Sequence, residues 1–268
     1  SGKQSDLPQL NSTLVDKTSR YSSDGNQIYF TSNRSGDFEL YSYHKSTSLI
    51  REISKLQATT IWHYSFSNDQ KKVAVVYSTD HIRLGVVELS TGKLIHSVAL
   101  DEIKFPLGWS KDDKHIYISE HLSNIAMYLY DAEKLVINKK RTHIGLTAFE
   151  LNSGEIVAFD YQSKRFVVYD FHTDKLTSMS DPVQEYMQLA PYNTYTNGNL
   201  VMLLYKKGMQ KSVYRFHLSK EGAERQTTLV ANLLQSGKMQ AFSPDMSAIL
   251  IADKEQSLNG NIIALQLE

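Results

Sequence analysis

The stretch Tyr21-Ser-Ser-Asp-Gly-Asn-Gln-Ile-Tyr-Phe30 decides the fold because close copies of it recur along the chain. They are Phe66-Ser-Asn-Asp-Gln-Lys-Lys-Val-Ala-Val75, Trp109-Ser-Lys-Asp-Asp-Lys-His-Ile-Tyr-Ile118 and Phe242-Ser-Pro-Asp-Met-Ser-Ala-Ile-Leu-Ile251. Each copy is an aromatic residue, a serine, a polar turn with Asp24, Asp69, Asp112 or Asp245, and then an apolar run of β-formers. Weaker copies, Phe149-Glu-Leu-Asn-Ser-Gly-Glu-Ile-Val-Ala158 and Tyr195-Thr-Asn-Gly-Asn-Leu-Val-Met-Leu-Leu204, carry Gly in the turn and no Asp. With Ser153 and Asn197 as their anchors, successive turns stand 45, 43, 41, 44 and 48 residues apart. That is the period of a four-stranded propeller blade. Helical solenoids of similar period are excluded by the pattern inside each unit. Phe38-Glu-Leu-Tyr-Ser-Tyr43, Arg83-Leu-Gly-Val-Val-Glu-Leu89 and Phe166-Val-Val-Tyr-Asp-Phe171 are short β-branched or aromatic runs, bounded by turn clusters such as Asn33-Arg-Ser-Gly36 and Ser90-Thr-Gly92.

These units predict an all-β, six-bladed β-propeller of four-stranded antiparallel blades, one domain over residues 1–268. The blades fall at about 18–54, 61–100, 105–141, 144–179, 189–230 and 238–268. In blade one, counting from the axis outward, the strands are Thr18 to Ser22, Gln27 to Ser32, Phe38 to His44 and Leu49 to Ser54. Blade six runs out of chain after Ile249 to Ala252 and Asn261 to Leu267, one strand short. The stretch Leu7 to Val15 has no blade of its own, so the economical reading makes it the outer strand of blade six, covering an open edge, and the alternative is an arc of a larger propeller.

Composition narrows the function. Lys plus Arg equals Asp plus Glu at 29 each, so no net field holds a polyanion, and nucleic-acid contact is not expected. The absence of cysteine excludes disulfides, thiolate catalysis and Cys-ligated metal without choosing a compartment. No apolar run approaches the length of a membrane span, so a membrane would be reached only through a segment outside this chain. The opening Ser1-Gly2 reads as the remnant of a cleaved tag, which leaves a signal peptide or anchor upstream open.

The phrase from Ser22 through Ser32-Asn-Arg-Ser-Gly-Asp37 to Tyr41 resembles the WD-like repeat of the TolB propeller family, whose motif is serine, proline, aspartate, glycine, a strand, Ser-Asn-Arg, glycine and a short strand ending in Tyr. Ser243-Pro-Asp245 keeps the start of that motif, whereas blades four and five lack both the aspartate and the Asn-Arg hairpin. The resemblance implies a non-catalytic propeller at a periplasmic or other extracytoplasmic location. Propellers of this kind serve as protein-binding scaffolds, as gates of oligopeptidases, and as sensor domains of membrane-spanning winged-helix regulators of the CadC and ToxR type. Phe105-Pro-Leu-Gly-Trp-Ser-Lys-Asp112 and the Tyr-rich later blades resemble the last group, which makes a sensor domain the leading expectation and the scaffold or gate the alternative.

No Gly-x-Ser-x-Gly elbow, His-Glu-x-x-His pair, phosphate loop or EF-hand spacing occurs, so an enzyme is not expected and no cofactor or metal is called for. The recurring aspartates read as turn residues that bond nearby amides, and Arg34 as a solvated side chain or an inter-blade tether. The repeated aromatics Tyr21, Phe66, Trp109, Phe149 and Phe242 are expected between neighbouring blades. A ligand site is expected at the channel mouth, where Arg20, His63, Tyr64, His143 and Lys238 could converge on a protein partner or a small polar or anionic ligand. His63 and His143 would gain charge between about pH 7 and 5 and strengthen anion binding there.

Overall fold

The computed structural model describes residues 4–7, 10, 12, 14–120, 125–180, 182, 188–196, 199–205, 212–217, 227–232, 238–245, 247–253 and 261–266. The chain begins with β1 (Gln4–Asp6) and then repeats one unit, a run of antiparallel strands joined by hairpins. The first sheet holds β2 (Asp16–Tyr21), β3 (Gln27–Ser32), β4 (Glu39–His44) and β5 (Leu49–Glu52) in that order. The second holds β6 (Thr60–Phe66), β7 (Lys72–Ser78), β8 (Ile82–Glu88) and β9 (Leu94–Ala99). The third holds β10 (Phe105–Trp109), β11 (His115–Glu120), β12 (Ala126–Asp131) and β13 (Ile137–Thr142). The fourth holds β14 (Ile144–Glu150), β15 (Ile156–Asp160), β16 (Arg165–Asp170) and β17 (Lys175–Ser178). The fifth holds β18 (Gln188–Thr196), β19 (Asn199–Tyr205), β20 (Ser212–His217) and β21 (Thr227–Asn232). In the sixth, β22 (Lys238–Phe242), β23 (Ala248–Asp253) and β24 (Asn261–Gln266) are completed by β1, in the order β1-β24-β23-β22.

The strands differ in composition because they differ in surroundings. Middle strands lie between two neighbouring sheets, so they read as nearly continuous apolar runs: Val73 to Tyr77 of β7 are all buried. Outer strands face water, and β9 and β13 are mostly exposed. First strands of adjacent sheets approach one another, β6 against β10, β10 against β14, β14 against β18, β18 against β22 and β22 against β2, as in a propeller. Each of them also carries a register slip against its hairpin partner, between Lys17 and Arg20, Ile61 and His63, Pro106 and Gly108, Gly145 and Phe149, Leu189 and Asn193, and Met239 and Ala241. A β-bulge sharpens local twist and re-aims side chains, which suits strands crowded together at the centre.

Side chains tie each described seam. The Tyr64 hydroxyl donates to the Thr18 carbonyl at 2.6 Å, and the Tyr29 and Phe66 rings stand 4.1 Å apart, joining the first two sheets. The Trp109 indole N–H donates to the Ser65 carbonyl at 2.9 Å, joining the second and third. The Tyr117 hydroxyl donates to Glu150 at 2.9 Å, joining the third and fourth. Of the repeated aromatics, Trp109 and Phe242 are buried as expected, while Tyr21, Phe66 and Phe149 are only half-buried. Tyr21 and Phe66 sit at the margin of an apolar cluster and leave part of the ring in solvent.

The closing strand is not the one the sequence suggested. Gln4, Ser5 and Asp6 pair with Leu265, Ala264 and Ile263, whereas among the described residues of Leu7 to Val15 there is no strand. The Ser12 N–H and hydroxyl both turn back onto Asp16, at 2.6 and 2.7 Å. The segment acts as a strap. Leu10 is fully buried among Ile28, Phe30, Tyr41 and Tyr43 of the first sheet and Leu250, Ile262 and Ala264 of the sixth. Arg34 fixes it by donating to the Leu10 carbonyl at 2.9 Å and to the buried Asp16 carboxylate at 2.8 Å, its guanidinium lying over the Phe30 and Tyr41 rings. Across the same seam, Gly25 takes a positive φ of 72°, and a Cβ there would sit 3.5 Å from Pro244.

Trp109→Ala removes both a buried indole and the bond to Ser65, and is expected to cost about 3–5 kcal/mol in denaturant unfolding. A loss below about 1 kcal/mol would show that the ring is not an inter-sheet anchor.

Candidate functional site

The first strands enter their sheets at one end and leave at the other through the serine–aspartate turn. Those turns share one face, since Gly25 lies beside Pro244 and Asn68 bonds to Asp113 and Ser110 of the next sheet. The five anticipated site residues occupy different positions along the first strands. Arg20 lies next to the last residue of β2, near the turn face, while Lys238 begins β22 and His143 immediately precedes β14, at the entry end.

Arg20 and Tyr64 do come together, with the guanidinium carbon 5.5 Å from the ring centroid. Tyr64 is fully buried and its hydroxyl donates to Thr18, so it forms the platform under Arg20. The Arg20 Nε is buried and has no acceptor among the described residues. His63, half-buried in the middle of β6, packs its ring 4.3 Å from that of Phe105. His143 is exposed, with φ at 66°, its N–H donating to the Ile125 carbonyl and its carbonyl accepting from Tyr161. It shapes the connection between sheets. The side chain of Lys238 and the turn at Asn197 lie outside the described residues.

At the entry end, sequence reading missed Lys104 and Glu120. Both are buried, and the Lys104 ammonium lies 2.6 Å from Asp101, 3.6 Å from Glu120 and 5.2 Å from the Tyr128 ring centroid. Burial pulls its pKa down, but the bond to Asp101 and the surrounding negative charge outweigh that and leave it raised. The Tyr128 hydroxyl donates to Glu120, and burial pushes its pKa up to about 12. The one sequence signal was a lysine set directly before the first strand of a sheet. Lys17 stands inside β2 with a neutral partner instead, its ammonium 3.2 Å from Thr60 and 4.4 Å from the Phe38 ring centroid, and burial lowers its pKa.

The turn face is built from one repeated device. In the first sheet the Ser22 hydroxyl donates to Asp24 at 2.6 Å and accepts the Gln27 N–H at 2.9 Å, while Asp24 accepts the Asn26 N–H at 3.0 Å. Ser67 with Asp69, Ser110 with Asp112 and Ser243 with Asp245 repeat the serine–aspartate bond at 2.7, 2.7 and 2.6 Å. These aspartates are thus turn-forming groups, as the sequence indicated. The Ser22 and Ser243 hydroxyls, then nearby N–H groups, hold Asp24 and Asp245 down to about 2.

No family model matches the chain, and no curated protein matches its sequence. Solved structures do resemble its fold. The candidate TolB from Agrobacterium tumefaciens aligns at TM-score 0.65 and 13% identity over 99% of this chain and 96% of that one. TolB from Acinetobacter baumannii aligns at 0.62 and 14% over 92% of this chain, which spans 65% of the Acinetobacter protein. The β-propeller domain of the Trilobed protease from Pyrococcus furiosus, described as having an open velcro topology, aligns at 0.58 and 12%, covering 93% of this chain and 78% of that domain. The fold is that of a TolB-like β-propeller.

Ser22→Ala should raise the Asp24 pKa from about 2 toward its ordinary 3.8, read by NMR titration of the carboxyl carbon. Because the folded carboxylate is harder to protonate than the unfolded one, its stabilisation is complete above about pH 3.8 and is lost as pH falls through about 2. The variant should lose it at higher pH. An unchanged Asp24 titration would remove the serine as the cause.

Proposed function

We propose that this chain is a non-catalytic, six-bladed propeller domain that binds a protein partner or a small polar or anionic ligand through its channel. The reading includes an extracytoplasmic location and a sensory or scaffolding role within a larger protein. The observation that carries it is Arg20: a half-buried cation on the first strand of its sheet, resting on an aromatic platform, with a buried N–H that lacks an acceptor among the described residues. A guanidinium so placed recognises carboxylate or phosphate through paired bonds. The fold likeness to TolB supports a binding role, because it spans both chains almost end to end in one of the alignments.

The Arg20 anchor is tested on the whole chain by ¹⁵N NMR titration with small dicarboxylates and phosphate-bearing ligands. Binding should perturb residues of β2 and β6 and weaken at least tenfold in Arg20→Gln. Binding that perturbs β2 and β6 yet keeps its affinity in Arg20→Gln would remove the channel from the account.

A further inference from the structure

A second cationic feature lies far from the channel, on the outer rim between the third and fourth sheets. A cavity of about 450 Å³ opens there, walled by the end of β13 on one side and by Tyr169 and the turn after β16 on the other. Strand alternation places the walls. Lys139 and Arg141 pair with Leu129 and Met127, which pack in the core shared with the fourth sheet, so both cations face that sheet. Lys140 faces the opposite way, over the Tyr128 ring at 5.0 Å.

Charge in the cavity is unbalanced. Arg141 donates through Nη1 to the two oxygens of Asp174, at 3.2 and 3.0 Å, and Tyr169 donates to the same carboxylate at 2.7 Å. The Lys139 ammonium meets the Phe171 carbonyl, a neutral acceptor. Lys139 and Arg141 face the cavity against Asp174, the one carboxylate among its lining residues, beside the exposed His172. Moreover, the Arg141 Nε is buried and has no acceptor among the described residues. A buried N–H without a partner is costly, so this guanidinium is under-coordinated when Asp174 alone holds it. The opposite wall is already organised, since Asp170 accepts from the His172 N–H at 2.7 Å and the Thr173 hydroxyl at 2.6 Å.

We propose that this rim cavity is a binding site for a small multivalent oxyanion, a polycarboxylate or a phosphate-bearing metabolite. Arg141 and Lys139 are its anchors, and Asp174 is an internal competitor that occupies the arginine while the site is empty. The volume falls in the range of small-molecule sites, about 300–1,000 Å³. Arg141 presents a planar fork that takes two oxygens at once, and Lys139 supplies a point charge for a second anionic group. The inference stands on residues separate from those of the channel reading.

The test uses the whole chain, with citrate and pyrophosphate as probes and sodium chloride at matched ionic strength as control. Saturable binding is expected to perturb amide resonances of residues 139–142 and 169–174. Affinity should fall at least tenfold in the Lys139→Gln, Arg141→Gln double variant and rise in Asp174→Asn. The opposite signs at Arg141 and Asp174 separate loss of a site from loss of folding. The probe that binds more tightly assigns carboxylate or phosphate. Absence of saturable binding by either probe, shifts that map elsewhere, or full affinity in the double variant would each overturn the proposal.

Discussion

The Asp16 carboxylate is out of water, and what holds it there also joins the first sheet to the sixth. Arg34 reaches it from the β3 to β4 hairpin, Ser12 bonds it from the strap, and Leu10 beside them fills the space between the two sheets. A buried ion pair of this kind adds little net stability over an apolar contact, yet removing one partner typically costs about 3–5 kcal/mol because the other is left uncompensated. The pair therefore fixes one path for the strap. With β1 hydrogen-bonded to β24, it makes the start of the chain part of the last sheet, whose edge would otherwise lie open.

From that seam onward, neighbouring sheets are joined by different side chains at related positions. Tyr64 reaches back to Thr18, Trp109 to Ser65, and Tyr117 forward to Glu150. Each polar tip finds an acceptor on the adjacent sheet while its ring fills the gap, so burial and hydrogen bonding fix the same geometry. The serine–aspartate turns add a second layer on one face, where Asp113 accepts from both Asn68 and the Asp69 N–H of the preceding sheet.

Much of this was legible in the sequence. The recurrence of Ser22 to Asp24 at Ser67, Ser110 and Ser243 gave the turn device directly, and the apolar runs after each turn gave the second strands, such as Gln27–Ser32. The register slips were not legible, because a bulge depends on how a strand meets its partner and not on its own alternation. The closing strand was misplaced because Leu7 to Val15 was chosen as the stretch without a blade of its own, whereas Leu10 is buried by packing between sheets. The channel site was read from position along the first strands, and the described contacts bring Arg20 onto Tyr64. The rim cavity was invisible. Lys139 and Arg141 meet His172 and Asp174 only when two sheets pack, and the run Lys139-Lys140-Arg141 on an outer strand is otherwise the charge that guards an edge against pairing.

The central claim is that the segment before β2 joins the first and sixth sheets, and its most direct test is a chain that begins at Lys17. Urea unfolding and sedimentation should be compared with the full chain at equal concentrations. The account predicts a midpoint lowered by the loss of several kcal/mol, with new concentration-dependent association through the uncovered edge of β24. An unchanged midpoint and unchanged sedimentation would contradict it and show that the two sheets hold together without the strap.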